Sequence, residues 1–287
     1  MKLASSAGAL FSFALLAIAR AGISEGAALN YLHQGRDQYR LGNIEAAIAD
    51  YTEAIKIEPN LSGPYYGRGE ARQALGDWRN ALADFNTAIQ LSPRRWGPAY
   101  TDRAAVELYL GNYDAAIVDL TQAVAITPTY GHGYRVRGSA KEFKGDLAGA
   151  IADYTEASRL DAANPYSEIL LWAVRTRQGQ ATLANQQLAA YVDRHVEKST
   201  DHWGTKVCAF LLDKIKESEF LTGSHSYFAY DSKGHQCEAW YYIGLKHLLS
   251  DNKAAAAEAF RNCLATNARS FDEYIRAAIE LKKLSKA

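Results

Sequence analysis

The chain has 287 residues, with 32 Lys+Arg balanced by 32 Asp+Glu, and its 48% hydrophobic and 22% charged fractions are those of a globular protein. That composition excludes wholesale disorder, and a net charge of zero lacks the basic excess of a general nucleic-acid binder. Three cysteines, none in a C-x-x-C pair, are too few for a disulfide-built scaffold.

Taken in chain order, the first element reads as a leader. Lys2 supplies a positive start, Ala7 to Ala19 is an uncharged apolar run, and Ala19-Arg20-Ala21 offers small residues where a signal peptidase reads. Residues 1–21 are therefore expected to be a signal peptide cut after Ala21, and the body to be periplasmic or secreted, in an oxidising compartment. The alternative is a retained anchor, since Leu3 to Ala19 is just long enough to consider. No later apolar run reaches the length of a span, so no stable membrane insertion is expected after cleavage.

A repeat follows. GNIEAAIADYTEAIKIEP from Gly42, GDWRNALADFNTAIQLSP from Gly76, GNYDAAIVDLTQAVAITP from Gly111 and GDLAGAIADYTEASRLDA from Gly145 superpose. Each closes a stretch opened by Tyr31, Tyr65, Tyr100 or Tyr134, at separations of 34, 35 and 34 residues. The spacing predicts a helix A from each tyrosine to the turn glycine and a helix B after it. The turn glycine suits a left-handed backbone state. Gly35, Gly69, Ala104 and Gly138 sit inside helix A, where glycine costs ~1 kcal/mol against alanine. The expected compensation is close approach of helix B at Ala47, Ala81, Ala116 and Ala150. Tyr51, Phe85, Leu120 and Tyr154 would fill the gap to the next repeat, and Pro59, Pro93 and Pro128 would stop helix B.

Small, small, aromatic, small, proline at these spacings resembles the tetratricopeptide-repeat (TPR) pattern over Leu29 to Ala162. It departs at the position before the mid-helix glycine, usually leucine, which holds Gln34, Arg68, Arg103 or Arg137 here, and the fourth repeat lacks its proline. The resemblance implies an all-α, right-handed superhelical solenoid of helix-turn-helix repeats with a C-terminal capping helix. Residues 22–162 hold the four regular repeats, 163–236 a degraded repeat, an irregular helical pair and a polar loop, and 237–287 a final repeat and the capping helix.

The second half carries Leu171-Trp172, then His202-Trp203-Gly204, then Trp240-Tyr241-Tyr242-Ile243-Gly244, then Phe271-Asp272-Glu273-Tyr274. That order resembles the bacterial envelope TPR lipoprotein of the new-lipoprotein-I type. The family implies an adaptor, usually dimeric, that binds peptidoglycan hydrolases and presents them to a protease, so a homodimer is implied here too. Its members carry a lipid on a cysteine at the mature N-terminus. No cysteine lies near the predicted cut, so that anchoring is not carried over.

Chemistry is sparse. There is no G-x-S-x-G, H-E-x-x-H or Walker-type loop, so no catalytic residue, cofactor or metal is expected. His225, His235 and Cys237 form an H-x9-H-x-C string on a polar loop, too loosely spaced for an ordinary zinc site. Cys237 at the start of one helix and Cys263 near the end of its antiparallel partner could meet in a disulfide, leaving Cys208 as a buried thiol.

If the A helices line a concave face, the residues left to point into it are Leu32, Arg36, Tyr39 and Arg40, then Tyr66, Glu70 and Gln73. The third and fourth repeats add Thr101, Leu108 and Tyr109, then Arg135, Ser139, Glu142 and Phe143. This aromatic and polar mixture, with both signs of charge, suits an extended or helical peptide segment of another protein. The expected function is a non-enzymatic periplasmic scaffold or adaptor recruiting peptidoglycan hydrolases or an envelope protease. A TPR subunit of a secretion or assembly machine is the alternative, and a metal-dependent enzyme using the 222–237 loop a third reading.

Overall fold

The computed structural model describes residues 26–92, 97–195, 202–224 and 229–286. The signal peptide expected at 1–21, Pro93 and His225 lie outside them. The chain packs as two units, residues 1–93 and 94–287. Among the described residues there is no strand, and no helix is long and apolar enough to cross a membrane. The first unit holds α1 (26–40), α2 (Ile44–Ile57), α3 (Ser62–Leu75) and α4 (Trp78–Leu91). The second begins with three helical pairs: α5 (Gly97–Leu110) with α6 (Tyr113–Ile126), α7 (Gly131–Lys144) with α8 (Leu147–Leu160), and α9 (Tyr166–Arg177) with α10 (Ala181–His195). It continues through α11 (His202–Leu211), α12 (Glu217–Gly223), α13 (Ala229–Leu249), α14 (Lys253–Ala265) and α15 (Asp272–Leu284).

Each A-to-B turn is closed by the same device. Gly76 has φ of 80°, its N–H donates to Gln73 O at 2.9 Å, and the next N–H, of Asp77, donates to Arg72 O at 2.9 Å. This left-handed cap satisfies carbonyls that the helix end would leave orphaned. In the α13–α14 turn a non-glycine, Asp251, takes the left-handed state with φ of 59°.

The mid-helix glycines admit aromatic rings rather than the helix B alanines. A Cβ on Gly35 would stand 2.7 Å from the Tyr51 ring, and one on Gly67, in the next repeat, 2.5 Å from the same ring. Phe85, Tyr154 and Phe260 lie just as close over Gly69, Gly138 and Gly244. The alanines are buried as expected, but the ring is the larger body and takes the space a side chain would need. The third repeat obeys the same volume rule in reverse, since Ala104 carries the methyl and Leu120 replaces the ring, both fully buried.

The arginines that depart from the TPR pattern also find their reason. Arg68, Arg103 and Arg137 each make a two-pronged ion pair to the aspartate 16 residues on: Asp84, Asp119 and Asp153. Each guanidinium also lies over the repeat's opening tyrosine, 5.3–5.7 Å from the ring centre of Tyr65, Tyr100 or Tyr134. The forked geometry lets a charge replace leucine at the A–B seam.

The expected 222–237 loop is shorter than the composition suggests. α12 reaches Gly223 and α13 already begins at Ala229, so His235 and Cys237 lie inside a helix. Ser232, Lys233 and Gly234 read as loop formers, but tertiary packing overrides that weak preference. A Cβ on Gly234 would collide with the Phe271 ring. His235 stacks on Trp203 at 4.7 Å, and Trp203 in turn stacks on Phe220 at 5.1 Å.

Candidate protein-binding grooves

In the first unit the side chains expected to face a groove stand on α1 and α3. Arg36 and Arg40 are exposed; the Arg40 side chain is 78% accessible and stands 3.6 Å from Asp37. Tyr39 and Tyr66 are half-buried, as is Glu70, which accepts from the Tyr66 hydroxyl at 3.2 Å. The Tyr66 ring tilts against Phe85 at 5.9 Å. Leu32 and Gln73 are buried, and Leu32 packs in a cluster with Ala47, Tyr51 and Ala71 of the first two repeats.

In the second unit the corresponding surface is covered. Ile275 and Ile279 of α15 pack with Leu108, Val136, Ala140 and Phe143, with Tyr109 at the cluster's margin. Thr101 is buried and donates to Gly97 O at 3.2 Å. Asp272 at the start of α15 meets Arg135 at 3.4 Å, and Arg177 of α9 pairs with Glu280. α15 also covers α13 and α14, as a cap on the final pair would.

At the centre of this contact sits Arg276, whose side chain is 3% accessible. Its Nε donates to Tyr241 Oη at 2.8 Å, Nη1 to Ser139 Oγ at 2.7 Å and Nη2 to Glu142 Oε2 at 2.8 Å. The guanidinium lies 4.9 Å from the Phe143 ring centre and 5.7 Å from that of Tyr241. Glu142 also accepts from the Tyr154 hydroxyl at 2.7 Å, and Arg177 Nη1 stands 3.0 Å from its other oxygen. Two arginines and two glutamates thus balance one another away from water, which makes their burial tolerable. Burial by itself would raise the Glu142 pKa, but the Arg276 and Arg177 charges outweigh it and hold the carboxyl below its ordinary range. Burial pushes the Tyr241 hydroxyl up to about 12.

A cavity is lined by Tyr130, His132, Arg135, Asp161 and Asn164. Burial lowers the His132 pKa to about 4, with Asp272 opposing and Arg135 adding to the shift. The imidazole is therefore neutral at pH 7, and its Nδ1, 2.7 Å from Arg135 Nη2, is placed to accept from it.

Of the H-x9-H-x-C string, His225 lies outside the described residues and the other two members have separate partners. His235 stacks on Trp203, and Cys237 faces Cys263 with the sulfurs 3.0 Å apart. Among the described residues no three His, Cys, Asp or Glu side chains gather as a metal site would need. Cys208, Cys237 and Cys263 are all buried, free thiols in this structure.

Sequence reasoning passed over Arg276, Glu280, Arg177 and Tyr241. The available signal was Tyr274-Ile275-Arg276-Ala277-Ala278-Ile279-Glu280, where charges stand on the apolar stripe instead of opposite it.

A family model described as TPR repeat matches residues 35–76, and one described as tetratricopeptide repeat matches residues 97–130. Over 195 residues the chain is 26% identical to the lipoprotein NlpI homolog of Haemophilus influenzae, covering 63% of this chain and 59% of that protein. The chain thus spans less than two thirds of that relative's length. The solved structure of MamA, from residue 41 to its end, of Desulfovibrio magneticus RS-1 aligns at TM-score 0.55 and 25% identity, over 61% of this chain and 97% of that one. PilF of Pseudomonas aeruginosa aligns at TM-score 0.55 over 90% of this chain and 99% of its own; at 14% identity it speaks for the fold alone. Its described residues form helices and no strand, residues 35–76 and 97–130 match tetratricopeptide repeats, and the chain is similar in sequence to the NlpI homolog.

Proposed function

We propose that this chain is a non-enzymatic adaptor of the cell envelope that recruits partner proteins through the groove of its first two repeats. The observation that carries the reading is the surface formed by Arg36, Tyr39, Arg40, Tyr66 and Glu70. Arg36 and Arg40 are exposed and Tyr39 and Tyr66 half-buried, all within the first two repeats. Tyrosine offers contact area at low entropic cost, and arginine fixes an acidic or backbone group, so the set suits a peptide segment with apolar and acidic residues. The leader-like residues 1–21 and the likeness to a lipoprotein support an envelope location. Peptidoglycan hydrolases, or a protease that processes them, are the partners the resemblance implies.

The test is a cross-linked pull-down from envelope extract with the chain from Gly22 onward, beside an Arg36→Glu/Tyr66→Ala variant. Recovery of a hydrolase or protease by the parent chain and its loss in the variant is the expected result. Equal recovery by both would remove the first groove from the proposal, and recovery of neither class would remove the adaptor reading.

A further inference from the structure

In the second unit α15 packs over Leu108, Val136 and Phe143 and buries Arg276 against Glu142. We propose that the groove of residues 97–177 and 229–249 is a receptor for an amphipathic helix bearing a buried arginine. α15 occupies it in cis, and a partner helix with the pattern apolar-Arg-x-x-apolar-acidic takes its place. This goes beyond the adaptor reading, which rests on the first groove, and does not depend on it.

Three observations carry the proposal. The pocket around Arg276 is built for a guanidinium: a carboxylate at Glu142, hydroxyls at Ser139 and Tyr241, and the Phe143 and Tyr241 rings near its plane fit its fork and its flat faces together. A lysine could satisfy the charge but not that geometry. The flanking contacts have helical spacing, since Ile275 and Ile279 seat side by side on Leu108, Val136 and Phe143, while Glu280 reaches Arg177 one turn beyond Arg276. The seam is also mixed in a way ordinary core is not: Glu273, Arg276 and Glu280 are all buried on the inward face of α15. Such a seam selects partners by charge register as well as by area. α15 is joined to α14 by a turn over 266–271, which gives it a short tether of its own.

The tether sets the threshold for replacement. A short linker holds α15 at an effective concentration on the order of millimolar, so a partner helix must out-compete that level.

The experiment uses the full chain with a specific protease site inserted between Ala268 and Arg269, and a fluorescent peptide of residues 269–287 as probe. After cleavage, the labelled peptide is expected to exchange into the protein with saturable binding, and an Arg276→Ala peptide to bind at least about a hundredfold more weakly, as loss of one member of a buried pair predicts. The uncut chain should bind the peptide far less, and an uncut Arg276→Ala chain should regain binding of the unaltered peptide. Equal binding of both peptides would overturn the arginine socket. Loss of the helical circular dichroism of residues 26–267 when the cleaved segment is removed would show α15 to be obligatory core, and would overturn the exchange. Passage of labelled α15 between copies in a dimer of the parent chain would assign the site to self-association and overturn the foreign partner.

Discussion

The first and second units use one repeat to build two different surfaces. At the ninth residue after each repeat begins, counting the opening tyrosine as first, the first repeat has half-buried Tyr39 and the fourth has fully buried Glu142. At the tenth, Arg40 has a 78% accessible side chain, whereas Phe143 is 6% accessible beneath α15. The lesson is that repeat register determines which side chains face the groove, while a distant segment determines whether they meet solvent. A polar residue at such a position can be a recognition group in one repeat and a buried partner in another.

The comparison breaks most readily at Glu142. Glu142→Ala leaves Arg276 and Arg177 short of their counter-charge, and is expected to cost roughly 3–5 kcal/mol in urea unfolding. Arg36→Ala, at an exposed position of the other groove, should change stability by no more than ~0.5 kcal/mol. Similar small effects for both would mean that α15 does not seat its arginine.

The volume rule at the A–B seam sharpens the comparison by showing what the units share. Gly138→Ala pushes a methyl into the Tyr154 ring, where the gap would be 2.6 Å, and should destabilise by about 1–3 kcal/mol. Leu120→Phe over Ala104 should cost a similar amount, and Ala104→Gly should recover most of it in a double-mutant cycle. Additive effects would show that residues 104 and 120 do not share one space.

A further effect concerns acid. His132 has a folded pKa of about 4 against an ordinary 6.5, so between those values the unfolded chain binds more protons. Its contribution is present above pH 6.5 and lost as the pH falls towards 4, amounting to about 1–3 kcal/mol once partial exposure is allowed for. Glu142, with its depressed pKa, adds a further loss below the ordinary carboxylate range. His132→Gln should flatten the stability profile between pH 6.5 and 4 and leave the lower limb in place. An unchanged slope would place the titration elsewhere.

Much of this was legible in the residues. The turn glycines, the buried aromatic column and the helix-stopping Pro59 and Pro128 were expected from spacing, and α2 and α6 end at Ile57 and Ile126, two residues before those prolines. Spacing succeeds there because each feature depends on neighbours within a turn or one repeat. The Arg68, Arg103 and Arg137 pairings recur as visibly as the glycines. They escaped because they were measured against leucine instead of against Asp84, Asp119 and Asp153. The start of α13 at Ala229 was not legible, because Phe271 and Trp203, which pack on Gly234 and His235, lie 37 and 32 residues away along the chain.

By itself, then, the order of amino acids determined the repeat, its period, its turns and the places of Arg36, Tyr66, Glu142 and Phe143 within it. Those are properties of 3.6-residue periodicity and of glycine's backbone freedom, which act locally. Tertiary structure alone decided that α15 lies on the second groove and that Arg276 meets Glu142, two residues 134 positions apart. Such a pairing forms only when apolar burial at Ile275 and Ile279 brings the helix in and the charges then find partners out of water, and no local preference records that outcome.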